Sequence, residues 1–457
     1  MFDRKESSEG CYYPTFLCMD LDTNDNLQYL LHYPQNPCTE ALFLHEYIHY
    51  LQDLTTVSGY AQICVVVDNM KWASRCIKKK RIHVPLDPFS VTDYYLDINA
   101  QHLKTSIGNG RIKNDPPIHH ITDFDTYEKS MRIPNGMDID AKIDAKIDAV
   151  LTFTDCYGQE YKYHVGEYAI SECQAYMVEQ HIYPNTIKPN EPAPDCPYRV
   201  VQKIFERFCP KYDDTMSMIA ACEACLMHGM PGLALKNLID ELNATTKKIT
   251  AEEVFFLGVS GRMLNKSGQK ISYFDRLKEY NGHAMTQLRS YFKASYFEPC
   301  KKFVEGVFAE AYQYRINNPC AILKIAQGGW IFANAHLKTA VSLLGCSSIL
   351  NKANDMFQFS PRCYPQECEP GAFAAFRFLH ELLFTEKLPN NHMVAACPMK
   401  VWCQKSFKKN NLVDITARAD VDCDHYPWHN VDILPILKQC IFGRVAATYG
   451  MQGKKLR

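Results

Sequence analysis

The chain has 457 residues, 47% of them hydrophobic and 22% charged, the profile of a folded protein with a sizeable core. Lys and Arg number 50 against 51 Asp and Glu, a formal net charge of −1 that excludes a global pull toward nucleic acid or an anionic membrane. No run approaches the ~20 consecutive apolar residues that cross a bilayer, and the opening MFDRKESSEGCYY lacks the apolar stretch of a secretory signal, so a cytoplasmic location is expected.

In chain order, CYYPTFLCMDL (11–21) reads as strand material, and LQYLLHYP (27–34) as a second strand stopped by Pro34. A helix follows, with Thr39 as its N-cap, Glu40 in the first turn and ALFLHEYIHYLQDL (41–54) running on without a breaker. AQICVVVDNMKWASRCIKKKR (61–81) predicts another helix with a basic last turn. Residues 83–148 turn irregular and proline-rich, and the short repeat DIDAKIDAKIDA (138–149) reads as a solvated segment. Two alternating runs around Tyr157-Gly158 predict a β-hairpin over 149–165, and Gly166 leads into the helix EYAISECQAYMVEQHI (167–182), ended by Pro184. Beyond it the pattern is mostly helical. Pro231-Gly232 separates two helices, Thr250 and Glu253 form a capping box, and 298–315, 321–344 and 371–385 carry helical spacing. A boundary near 245–250 divides the chain into 1–245 and a Cys-rich 246–457. The twenty cysteines show no disulfide-scaffold spacing and read mostly as free thiols of a reducing compartment.

The informative stretch is His45-Glu46-Tyr47-Ile48-His49. Residues four apart share a helix face, so both imidazoles can reach one metal ion, while the glutamate after the first histidine projects beside it. Neutral imidazole suits Zn²⁺, and three protein ligands with an open fourth position make a catalytic site in which the metal activates a water and the carboxylate takes its proton. H-E-x-x-H on a helix is the zinc metalloprotease pattern. The continuation H-x-x-G-x-x-H is absent, which leaves a glutamate on a later helix as the third ligand. Glu172 leads, because small Ala169 and Ala175 flank it. Glu179 and Glu167 compete on the same segment, and Glu179, seven residues on, could instead orient a histidine.

HEYIHYLQD followed by GEYAISECQA resembles the zincin metallopeptidases whose third ligand is a glutamate, the gluzincin type. The likeness rests on two short segments within residues 39–180. It implies an α+β, predominantly helical fold: a zincin-like catalytic domain with a small sheet over 1–245, then a mostly helical regulatory or substrate-binding region. It also implies Zn²⁺ held by His45, His49 and Glu172, with Glu46 as general base. Glu172 stands 123 positions after His49, more than the usual gap, and an insertion at 83–148 accounts for the excess. The expected activity is intracellular hydrolysis of a peptide bond in a protein or peptide substrate, narrow in specificity or gated by an activating or inhibitory protein partner. The rival readings are a zincin-derived scaffold without activity and a zinc hydrolase acting on a non-peptide amide.

Other motifs carry less. A di-iron bundle needs E-x-x-H twice, and only Glu46–His49 supplies it. Cys222-Glu-Ala-Cys225 lacks a βαβ setting and reads as core cysteines. Cys363, Cys368, Cys397, Cys403, Cys423, His425 and His429 fit no standard zinc-ribbon spacing. The Lys78–Arg81 run reads as a solvated helix end.

Overall fold

The computed structural model describes residues 10–77, 81–82, 86, 106–129, 146–186, 193–260, 269–292, 294–353, 355–362, 371–384, 397, 399–409, 423–424, 440–451 and 455–456. Within them the fold is α+β and predominantly helical. The helices are α1 (Pro37–Thr55), α2 (Val57–Cys76), α3 (Glu167–Ile182), α4 (Val200–Phe208), α5 (Thr215–Leu226), α6 (Pro231–Ala244) and α7 (Ala251–Val259). They continue as α8 (Tyr273–Arg289), α9 (Glu298–Asn317), α10 (Ala321–Gln327), α11 (Ala335–Leu344), α12 (Gly371–Phe384), α13 (Lys400–Lys409) and α14 (Ile441–Thr448). The strands are β1 (Gly10–Tyr13), β2 (Cys18–Leu21), β3 (Arg81–Ile82), β4 (His120–Lys129), β5 (Lys146–Thr154), β6 (Glu160–Val165), β7 (Cys346–Asn351), β8 (Met356–Phe359) and β9 (Lys455–Leu456).

α1 is the axis of the molecule. Asn36, rather than Thr39, caps it by accepting from the Cys38 N–H, and Pro37 takes the first helical position, where its missing donor costs nothing. Thr39 is buried inside the helix and donates to Asp25 at 2.5 Å. Every residue from Thr39 to Thr55 is buried, so the helix is covered on all faces, by β1 and β2, α2, α3 and α9. A helix wrapped in this way must satisfy each polar side chain internally, and the histidine pair is among them.

The first sheet is mixed and runs β1-β2-β7-β8. β1 and β2 are antiparallel, while β2 pairs with β7 in parallel, Cys18 opposite Ser348 and Leu21 opposite Asn351. Arg377 on α12 secures this edge: it is 2% exposed, donates to Asp20 at 2.6 Å and lies 3.4 Å above the Tyr13 ring. β4, β5 and β6 form a second, antiparallel sheet, and β3 pairs with β9. One apolar core extends from Tyr12 to Met451, so strand pairing and core both run across the position near 245 where the sequence pattern changes.

Several expectations change. Leu27–Tyr29 is a single 3₁₀ turn, not a strand, capped by Asn26. α2 ends at Cys76 and Arg81 already belongs to β3; Lys78, Lys79 and Lys80 lie outside the described residues. The predicted hairpin forms, with Thr154 opposite Glu160, but a third strand, β4, emerges from the stretch read as irregular. The last residues of the DIDA repeat enter β5 with Asp148 and Ala149 buried; residues 138–145 lie outside the described residues. The predicted helix over 321–344 is two helices, α10 and α11. β7 and β8 stand in a region read as helical. Among the described residues no helix is long and apolar enough to cross a membrane.

Candidate metal centre

His45, Glu46 and His49 lie on α1, and α3 brings Glu172 against them. The approach of α3 is set at its first turn. Gly166 caps it where the chain passes residues 107 and 108 so closely that a Cβ would fall 2.4 Å from the Ile107 carbonyl oxygen. Buried Ala169 and Ala175 keep the α1–α3 contact close. The His45 and His49 Nε2 atoms are 3.2 Å apart, and Glu172 Oε2 lies 3.3 Å from His49 Nε2 and 3.6 Å from His45 Nε2. Among the described residues this is the one group of three or more His, Cys, Asp or Glu side chains whose ligand atoms converge closely enough to hold a metal ion. All three side chains are buried, as is Glu46 at 4% exposure.

The outward nitrogens fix the tautomers. His45 Nδ1 faces Glu179 Oε2 at 2.9 Å, and His49 Nδ1 faces Gln52 Oε1 at 2.7 Å. The Gln52 amide orientation follows from its other end: Nε2 donates to the Ser171 carbonyl at 3.1 Å and to Gln174 Oε1 at 2.8 Å. Gln174 in turn donates to the Ile219 carbonyl at 3.0 Å. Every partner in this relay is an acceptor, so the Gln52 oxygen points at the imidazole and His49 Nδ1 carries a proton. A carboxylate can only accept, so His45 Nδ1 is protonated as well. Both Nε2 lone pairs therefore point inward at each other and at a carboxylate oxygen. Three electron pairs meeting at 3.2–3.6 Å inside a buried site repel unless a cation or a proton lies between them.

The electrostatics agree. Burial alone pulls the His45 imidazolium down, but hydrogen bonds to Glu172 and Glu179 outweigh it and hold this histidine well above its ordinary range. Burial raises Glu46, against the lowering effect of His45 and His49 and of the nearby Tyr12 backbone.

Glu172 thus joins the two histidines in the group that could hold a metal ion, Glu179 meets His45 Nδ1, and Glu167 accepts from Gln62. Sequence reasoning passed over Gln52, although it lies on the His49 face at i+3. It also missed Tyr198, whose ring stands 6.4 Å from that of His45 and 5.9 Å from Tyr176. No local signal marks Tyr198, because a different helix turn brings it in. Cys222 and Cys225 are buried on α5, where burial pushes both thiols up and keeps them protonated, as core cysteines should be. Of the C-terminal Cys/His set, Cys363, Cys368, His425 and His429 lie outside the described residues. Cys397, Cys403 and Cys423 join no metal-holding group among the described residues.

Compared with known protein families, curated proteins and solved structures, the chain matches none of them.

Proposed function

We propose that the chain is a zinc-dependent peptidase of the gluzincin type. One observation carries the reading: the mutual spacing of the His45 and His49 Nε2 atoms and Glu172 Oε2, at 3.2, 3.3 and 3.6 Å. Ligand atoms on bonds of about 2.0–2.1 Å at the tetrahedral angle are separated by roughly 3.3–3.4 Å. The donor set, two neutral imidazoles and one carboxylate, is that of a catalytic rather than a closed structural zinc. Once bound, zinc would supply Lewis acidity, making water a competent nucleophile near neutral pH and polarising a carbonyl.

The rest falls to the chain. His45, His49 and Glu172 hold the ion, and Glu179 and Gln52 keep the imidazole tautomers. Glu46 accepts the proton of the attacking water and passes it to the leaving amine; burial lifts its carboxyl toward neutrality, which suits a group that must both take and give a proton. Tyr198 is the hydroxyl we assign to the developing oxyanion. Ligand and base residues that are each at most 9% exposed favour a narrow substrate range or an opening step driven by a protein partner.

The test is metal content by mass spectrometry on the full chain, with activity on peptides. Wild type should carry about one zinc per chain, Glu172→Ala should lose it, and Glu46→Gln should keep zinc while hydrolysis disappears. Hydrolysis at the wild-type rate in Glu46→Gln overturns the mechanism. Absence of metal after reconstitution overturns the peptidase and leaves a scaffold.

A further inference from the structure

Among the described residues β1 is the edge of its sheet, paired with β2 on one side only. Glycine is a poor strand residue, and inside a strand it often marks close approach by another group. Gly10 is not among the glycines with positive φ, so backbone conformation does not require it. Space does. A Cβ at Gly10 would lie 2.8 Å from Glu46 Oε1, 3.0 Å from Cγ and 3.2 Å from Cδ. All three atoms belong to Glu46 and none to the backbone, so the group that would give way is this carboxylate.

Two residues along, the Tyr12 backbone lies close enough to the same carboxylate to favour its charged form. The strand is pinned to α1 from the other side: Asp53 Oδ2 accepts from the Tyr12 hydroxyl at 2.6 Å and from the Thr15 N–H at 2.9 Å. Asp53 is seven residues after Glu46 and on the same helix face. Helix and strand therefore lock each other, Asp53 holding β1 and β1 holding Glu46.

We propose that the β1 edge at Gly10 forms a seat that holds Glu46 beside the metal centre and out of its coordination sphere. The proposal rests on the peptidase reading for its purpose but not for its geometry. A glutamate next to two imidazoles can itself ligate a metal and fill the position that a substrate needs. Seated on the strand edge, with its χ angles restrained, it remains a base. Gly10 acts through Glu46 and is a positioning residue.

The experiment uses the full chain with Gly10→Ala, Glu46→Ala and the double variant. In metal-free protein, Gly10→Ala should lower the thermal midpoint by roughly 2 °C or more, as overpacking does, and this loss should vanish in the Glu46→Ala background. An equal loss in both backgrounds overturns the seat. With Co²⁺ in the centre, the visible absorption of Gly10→Ala should move toward higher coordination number as the displaced carboxylate ligates, and revert in the double variant. An unchanged spectrum overturns the positioning role. On a fluorogenic peptide library with zinc bound, Gly10→Ala should lose about tenfold in kcat with KM unchanged. Failure of the peptidase reading shows separately, as no Co²⁺ binding or no hydrolysis by wild type, and the stability cycle still decides the seat.

Discussion

Two buried polar clusters sit on α1, one at its middle and one at its C-terminal end, and they are built on opposite plans. At the C-terminal end, fully buried Arg315 of α9 pairs with Glu223 of α5. Its guanidinium also donates to the Thr55 carbonyl at 3.0 Å, the Thr55 hydroxyl at 2.7 Å and the Pro319 carbonyl at 2.8 Å. Glu223 further accepts the Ile322 and Leu323 N–H groups at the start of α10. Donors match acceptors there, and the cluster closes on itself. In the metal centre the outer nitrogens are matched in the same way, by Glu179 and Gln52, yet the inner atoms of His45, His49 and Glu172 all present electron pairs to one point. A buried network that balances internally is structural; one that balances only with an added proton or metal ion is a candidate binding site.

That contrast can be broken at either end. The largest effect is expected at the closed cluster: Arg315→Ala leaves Glu223 buried and uncompensated, and should cost about 3–5 kcal/mol in chemical denaturation, with or without metal. A loss that depends on metal would erase the distinction. At the open cluster, His45→Ala should abolish the stabilisation by zinc, about 4 kcal/mol at a thousandfold excess over Kd. Thermal melts at several zinc concentrations check this. Next, Glu179→Gln should weaken zinc about 10–100-fold in a chelator competition, since it loosens the ring without removing a ligand.

The smallest effect is a pH dependence with a defined sign. His45 is raised in the folded metal-free protein, so it adds stability that is fully present below about 6.5 and fades as pH rises through the raised value. Zinc must displace that proton, so affinity should climb over the same window. Melting the metal-free protein from pH 6 to 9 should show a decline that His45→Ala lacks, and calorimetry in buffers of different ionisation enthalpy should record proton release on zinc binding.

Much of the centre was legible because its key part is local. His45, Glu46 and His49 fall within one helical turn, and the i, i+4 rule needs no knowledge of the rest. Glu172 and Glu179 were legible as a pair seven apart on one face, but which of them faces the metal depends on how α3 crosses α1. That crossing is set by Gly166 against Ile107 and by two alanines. The strands β7 and β8 were missed because runs of six and four residues in a helical neighbourhood carry no decisive period. Thr39 was misread as a cap because it looks like one; Asn36 and Pro37, three residues earlier, won the position.

By itself, then, the amino-acid sequence determined what lies within about two helical turns: the histidine pair, the glutamate beside it, the hairpin before α3 and the capping box at Thr250. Tertiary structure decided what depends on chains meeting from far apart. Glu179 at His45, the Gln52–Gln174 relay, the closed Arg315–Glu223 pair and the edge strand under Glu46 are of this kind. The physical reason is one of range: backbone periodicity places neighbours on a face, but the partner of a buried polar atom is chosen by packing, which no local pattern records.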